Sequence, residues 1–349
     1  MFYTLFFMCA FTTYVESQKI DYILTPKGRG KKHGLMKHKV KGTARLTKAD
    51  IEFTFVQNLT QNEISSISSD FYVEKNEKAT INWHLDRIDQ RKLPLSNTKY
   101  MGNSSNLIDM YIVDTGISTN HTEFSENNAV WGGNFINDGI NTDCNGHGTH
   151  VASLAVGKQY GSGKRANLIA VKVLGCDGSG SYSDIIKAIE WITNRAATSK
   201  KISIVNMSLG GPASIALDTA ITNSFNSGVY YVVAAGNSNA NACNYSPSRI
   251  PSIITVAASD NKDIKASFSN YGKCIDVYAP GVNLFAAWLN DGYATLSGTS
   301  MASPVASGVL AGYMSRHGRA GYNIFYNSMT SNVILQNPRG TTNKMAYFV

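Results

Sequence analysis

At 349 residues, with 43% apolar and only 16% charged side chains, the chain is too apolar for a disordered protein and too poor in charge for a long coiled coil. Its length leaves room for a small folded unit ahead of a larger one. The formal net charge of +8 is concentrated between Lys27 and Lys48, where no aromatic residue interleaves the cations to stack bases. A solvated basic loop is therefore expected there rather than a nucleic-acid interface.

In chain order, Met1 to Tyr14 is apolar and uncharged, and the small Ser17 follows two residues after Val15. Residues 1–17 read as a secretory signal peptide, although the usual basic start is missing. No later segment is apolar for long enough to span a bilayer, so no stable membrane insertion is expected. Removing residues 1–17 discards Cys9 and leaves an even set, Cys144, Cys176, Cys243 and Cys274. In an oxidising compartment these can pair in three ways, and the lack of any C-x-x-C spacing disfavours a zinc site.

Residues 18–80 read as a small α+β unit. Strands are expected at Ile20 to Leu24, Ile51 to Val56 and Phe71 to Val73, from their short apolar, β-branched runs. Between the last two, Thr60 followed three residues later by Glu63 forms a capping box that opens a helix. Such a unit would be marginal alone and is expected to lean on something larger.

Residues 81–349 change character. Leu107 to Val113, Leu168 to Val173, Ile202 to Met207, Val229 to Ala234 and Ile253 to Ala257 are short and nearly continuous in apolarity, as parallel strands covered on both faces are. Helical stretches intervene at about 183–197 and 214–227. The alternation predicts an α/β fold, a doubly wound and mostly parallel sheet with helices on both faces.

Three segments concentrate chemistry. Asp114 ends an apolar strand in Ile112-Val113-Asp114-Thr115-Gly116. His147 sits among glycines at a helix start in Asn145-Gly146-His147-Gly148-Thr149-His150. Ser300 stands at the mouth of an apolar helix in Ser297-Gly298-Thr299-Ser300-Met301-Ala302-Ser303-Pro304. Taken singly, each has a structural explanation as a turn residue, a packed histidine or a helix cap. Together they supply what nucleophilic acyl transfer needs: a serine, a histidine to take its proton, and a carboxylate to fix the imidazole tautomer.

These motifs resemble those of the subtilisin superfamily, and within it the proteinase K branch. The order acid, histidine, serine is that of subtilisin. The likeness extends to Asn206-Met207-Ser208-Leu209-Gly210-Gly211, Ala234-Ala235-Gly236-Asn237 and Ser267-Phe268-Ser269-Asn270-Tyr271-Gly272. It implies a catalytic triad of Asp114, His147 and Ser300, with an oxyanion hole formed by the Asn237 side chain and the Ser300 backbone N–H. His150 is then a packed structural residue one turn further along. Substrate would pair its backbone with Gly178, Ser179 and Gly180 on one side and with Ser208, Leu209, Gly210 and Gly211 on the other, giving endopeptidase action on protein or peptide substrates. Ala234, Ala235 and Gly236 would form an uncharged wall favouring an apolar or aromatic side chain before the cut bond.

The aqualysin-like cysteine pattern implies pairing of Cys144 with Cys176 and of Cys243 with Cys274. Asp276, with the carbonyls of Pro251 and Ile253, resembles the family's structural calcium site. Residues 18–80 resemble an inhibitor-type propeptide, an intramolecular inhibitor and chaperone removed by self-cleavage between Glu74 and Trp83. The resemblance thus implies a secreted, monomeric serine endopeptidase made as a zymogen. A catalytically silent relative that binds peptides is the alternative. Asn58, Asn103, Asn120 and Asn244 lie in glycosylation sequons, whereas Asn206 fits the pattern but falls in an expected buried strand.

Overall fold

The computed structural model describes residues 21–26, 40–46, 51–57, 61–67, 71–75, 82–96, 100, 102 and 104–348. Its contacts divide the chain into two units, Met1–Thr80 and Ile81–Val349. Residues 1–17 and the capping residue Thr60 lie outside the described residues.

The first unit contains strands β1 (Asp21–Pro26), β2 (Val40–Leu46) and β3 (Ile51–Gln57), helix α1 (Gln61–Ile67) and strand β4 (Phe71–Lys75). The strands form one antiparallel sheet in the order β2-β3-β1-β4. Strand β2 corrects the reading of the basic stretch as a loop. Within it Val40, Gly42, Ala44 and Leu46 alternate with Lys41, Thr43 and Arg45, the period of two that suits a pleated strand. That alternation outweighs the local charge.

The second unit opens with α2 (Trp83–Ile88), β5 (Ile108–Asp114), β6 (Ala129–Asn134), α3 (His147–Val156), β7 (Asn167–Lys172), α4 (Tyr182–Thr198) and β8 (Ile202–Met207). It continues through β9 (Gly211–Pro212), α5 (Ile215–Asn226), β10 (Tyr230–Ala234), β11 (Tyr245–Ser246), β12 (Ile254–Ser259), β13 (Val277–Pro280), β14 (Leu284–Ala287) and β15 (Tyr293–Leu296). Helices α6 (Thr299–His317) and α7 (Gly321–Ser328) and the short strands β16 (Thr330–Ser331) and β17 (Lys344–Met345) complete it.

The main sheet runs β16-β17-β13-β12-β10-β8-β5-β7-β6, and every pairing between β6 and β17 is parallel, with β16 alone antiparallel. This is the doubly wound α/β architecture expected from the sequence, with α4 and α5 at the anticipated positions. Strands β5, β7, β12 and β13 are buried along their whole length, which is why their sequences read as unbroken apolar runs. After β7 the chain crosses to the other side of β5 to begin β8. The strand ends on either side of such a crossing open a crevice where α/β proteins place their ligands. Among the described residues no helix is long and apolar enough to cross a membrane.

Helix α6 is the spine of the unit. It is buried on all sides from Met301 to Met314, so it has no polar stripe, as expected for a helix enclosed in a core. Close packing explains Gly308. A Cβ there would sit 2.1 Å from Ser162 Oγ and 2.4 Å from both Ala155 O and Gly163 N, so backbone would have to move. The substitution Gly308→Ala should therefore destabilise the protein by about 1–3 kcal/mol, the usual cost of overpacking a core. Thermal denaturation should register this as a lowered Tm.

Candidate active site

Each residue singled out by the motifs stands at the carboxyl edge of the sheet or just beyond it. Asp114 is the last residue of β5 and His147 the first of α3, while Asn237 follows β10 and Ser300 is the second residue of α6. The parallel sheet delivers the strand ends to one edge, and the returning chain places the helix starts beside them.

Asp114 and His147 meet directly. His147 Nδ1 lies 2.8 Å from Asp114 Oδ1, with the carboxylate side chain fully buried and the imidazole 26% exposed. Asp114 Oδ1 also accepts a hydrogen bond from the Thr115 N–H at 2.8 Å, while Oδ2 is buried and receives none. Because the carboxylate can only accept, it fixes a proton on Nδ1 and leaves Nε2 free to take one. Burial opposes charging this imidazole, but the Asp114 charge and hydrogen bond, together with the nearby Asp143 charge, outweigh it. The His147 pKa is thereby raised above its ordinary 6.5.

Sequence reasoning overlooked Asp143, which organises the loop before α3. One of its oxygens accepts from Thr115 Oγ1 at 2.9 Å, Asn145 N at 3.0 Å and Gly146 N at 2.9 Å. The other accepts from Thr149 N at 2.9 Å and Thr149 Oγ1 at 2.6 Å. Five donors on a buried carboxylate hold the turn that presents His147. Cys144 is bonded to Cys176, and Asn145 Nδ2 donates to Cys176 O at 2.9 Å while its Oδ1 accepts from His147 N at 3.1 Å. That disulfide is therefore tied to the histidine through one side chain. The second bridge joins Cys243 to Cys274. Fully buried Lys172 was also missed; its ammonium donates to Thr115 O at 2.9 Å and Leu174 O at 3.0 Å.

His150 is a different kind of residue. It is fully buried, with Nε2 3.2 Å from Leu284 O and 3.1 Å from Ala294 O. Facing carbonyls rather than a carboxylate, it is held neutral by burial, its pKa lowered to about 4. It pins α3 to the β14–β15 hairpin.

Ser300 Oγ donates to Ser208 O at 3.2 Å rather than to His147, and the Ser208 hydroxyl donates back to Ser300 O at 2.8 Å. Asn237 Oδ1 accepts from Thr299 N at 2.8 Å and Thr299 Oγ1 at 2.9 Å, so the opposite end of its amide, Nδ2, remains available as a donor. Gly298 shows where that donor faces. A Cβ added there would lie 3.4 Å from Asn237 Nδ2 and 3.6 Å from the Ser300 backbone nitrogen. A side chain at 298 would thus fill the space beside both nitrogens, in keeping with a glycine that lets backbone approach closely.

A cleft of 640 Å³ runs beside His147. Gly178, Ser179 and Gly180 and the run Ser208, Leu209, Gly210 and Gly211 both line it, with Thr115, Asn145, Leu174, Tyr182, Ile185 and Pro212 completing it. The Tyr182 hydroxyl donates to Pro212 O at 2.7 Å. Ala234, Ala235 and Gly236 do not line this cleft; they end β10 beside Asn237, where Gly236 N donates to Thr299 Oγ1 at 3.0 Å. Buried Asn270 shapes that corner by donating to Ala235 O at 2.8 Å and accepting from Ser238 N and Ala240 N.

The raised His147 pKa has a measurable form. Followed by NMR in Ser300→Ala, His147 should titrate with a midpoint above 6.5. Replacing Asp143 by Asn removes one of the charges that raises it, so the midpoint should move down.

The Subtilase family profile matches residues 110–344. The chain is 41% identical over 313 residues to the alkaline serine exoprotease A of Vibrio alginolyticus, a match covering 84% of this chain and 58% of the relative. It is 47% identical over 234 residues to an extracellular serine proteinase of a Thermus strain, covering 66% and 56% respectively. Against subtilisin-like protease 6 of Trichophyton rubrum it is 38% identical over 360 residues, covering 97% of this chain and 86% of the relative. The matches thus span only somewhat more than half the length of the Vibrio and Thermus proteins. Among solved structures, a cold-adapted subtilisin-like serine proteinase superposes with a TM-score of 0.73 at 43% identity, over 78% of this chain and 99% of that one. A family profile covering most of the sequence, close relatives and a shared architecture lead to one assignment: this chain belongs to the subtilase family.

Proposed function

We propose that this protein is a secreted serine endopeptidase that cuts peptide bonds through an acyl-enzyme on Ser300 and is made as a self-processing precursor. The observation that carries the reading is the fully buried Asp114 carboxylate 2.8 Å from His147 Nδ1, with the imidazole on the wall of an open cleft.

In this mechanism Ser300 Oγ rotates from Ser208 O toward His147 and attacks the scissile carbonyl carbon as its proton passes to Nε2. Apo structures often hold such contacts open until substrate arrives. The imidazolium that forms is stabilised by Asp114, consistent with the raised pKa. The oxyanion accepts hydrogen bonds from Asn237 Nδ2 and the Ser300 N–H. Collapse of the tetrahedral intermediate breaks the C–N bond, the amine leaves with the proton from Nε2, and the acyl group stays on Ser300. Water then attacks with His147 again as base and releases the acid. Backbone pairing along the cleft gives broad specificity, and its uncharged lining, with Leu174, Ile185 and Leu209, favours an apolar or aromatic side chain before the cut bond.

Residues 18–80, within the first unit, serve as the propeptide in this reading, inhibiting and guiding the rest. The cut falls between Glu74 and Trp83. Strand β4 ends at Lys75 and α2 begins at Trp83, so this segment carries the join between the two units. Helix α2 belongs with the enzyme: Leu85 and Ile88 lie in its core, and Arg87 pairs with Asp263 at 2.6 Å in the interior.

A calcium ion fits at Asp276. Its Oδ2 accepts from Thr255 N at 2.8 Å, and burial raises its pKa to about 6; such a carboxylate gains from a cation. Asp276 with the carbonyls of Pro251 and Ile253 would hold the ion, an all-oxygen set suited to a hard cation. The ion would neutralise buried charge and brace the turn before β12. Chelation is expected to lower the Tm, and Asp276→Asn to make the Tm insensitive to chelator.

Two experiments test the catalytic reading. The secreted precursor and its Ser300→Ala variant are incubated separately and weighed intact; only the former should lose the segment ahead of Trp83. If both remain full length, the silent peptide-binding alternative replaces the enzyme. Independently, Gly298→Ala puts a methyl group where the oxyanion forms and should lower kcat about a hundredfold with little change in KM, as losing an oxyanion donor does.

A further inference from the structure

Asn206 is fully buried in β8, where an apolar residue of similar size would avoid the cost of burying a carboxamide. Its polar atoms are instead all used, and all face the same helix or the cleft. Oδ1 accepts from Ser303 Oγ at 2.8 Å and lies 2.9 Å from Ser307 Oγ, both on α6, the single Ser307 proton being shared with Ser303 O at 3.0 Å. Nδ2 donates to Ser208 Oγ at 2.9 Å, and Ser208 Oγ donates to Ser300 O at 2.8 Å.

The direction of these bonds carries the argument. With the Ser303 hydroxyl donating to Oδ1, the amide presents Nδ2 to Ser208. The Ser208 hydroxyl, receiving a proton from Nδ2, must send its own to the Ser300 carbonyl. Ser300 Oγ in turn rests on Ser208 O. The first turn of α6 is thereby held from two sides, at the Thr299 N–H by Asn237 and at the Ser300 carbonyl by Ser208.

We propose that Asn206 is a positioning residue for catalysis: by orienting the Ser208 hydroxyl toward the Ser300 carbonyl, it fixes the backbone that carries both the nucleophile and one oxyanion donor. The inference rests on the proposed role of Ser300. Asn206 touches no substrate and acts only through Ser208.

An aspartate at position 206 reverses the polarity without changing the shape. Protonated, it can still donate to Ser208; ionised, it can only accept, and Ser208 turns toward it and releases Ser300. The test compares Asn206→Asp, Ser208→Ala and the double variant as matured full-chain enzyme, with active sites counted by a serine-directed phosphonate and turnover followed on a peptide anilide. At alkaline pH each single variant should lose about tenfold in kcat, the scale of one well-placed hydrogen bond, with KM within about twofold. The double variant should be no worse than Ser208→Ala. The kcat ratio of Asn206→Asp to wild type should fall as pH rises through the titration of the buried carboxyl, while Ser208→Ala should show no such dependence.

Additive losses in the double variant, or a ratio for Asn206→Asp that does not change with pH, would overturn the proposal. If Asn206→Asp does not mature, Ser303→Ala combined with Ser307→Ala frees the amide to turn and takes its place in the same cycle. Wild type that binds the anilide without turning it over would instead sink the enzymatic reading itself, whereas an active wild type with additive losses removes only the role of Asn206.

Discussion

The buried carboxylate of Asp114 is the constraint around which the second unit is arranged. A charge removed from water is tolerated only where fixed partners replace hydration. Here His147 and the Thr115 N–H do so directly. The next layer is built to hold those partners: Asp143 gathers Thr115, Gly146 and Thr149 around its two oxygens, and Lys172 clamps Thr115 O and Leu174 O from below. Neither Asp143 nor Lys172 reaches the cleft. Their effect is to leave the imidazole one low-energy orientation.

Helix α6 solves the complementary problem of presenting a serine rigidly from within a core. Apolar packing on all sides fixes its axis, but apolar contacts are non-directional and set rotation and register weakly. The directional restraints are polar. Asn206, Ser303 and Ser307 tie the helix to β8, and Asn237 binds its first residue. Glycine at 308 allows close approach to Ser162 and Gly163, and glycine at 298 keeps the space before Ser300 empty.

The fold class was legible because parallel strands buried on both faces leave uninterrupted apolar runs, and β5, β7, β8, β10 and β12 all carry that signature. Asp114, His147 and Ser300 stood out because each lies at an element boundary marked by local composition. What escaped was whatever depends on distant segments converging. Asp143 reads as an ordinary turn acid and Lys172 as a surface lysine. Strand β2 was missed for a different reason: its cations invited a reading by charge, while the period-two alternation beneath them set the structure.

His147 and His150 show how little a residue type fixes by itself. They lie one turn apart on α3, both largely withdrawn from water, yet one is pushed above 6.5 and the other down to about 4. Burial opposes the charge on both rings; the Asp114 carboxylate outweighs it at His147, whereas the two carbonyls that favour a charged His150 do not. The consequences for stability have opposite signs. The His147 contribution is complete below 6.5 and is lost as pH rises through its raised folded value. The His150 contribution is complete above 6.5 and is lost as pH falls toward about 4, and buried His84, also at about 4, follows it. Acid therefore works against this protein by favouring the unfolded chain, in which His84 and His150 are free to charge.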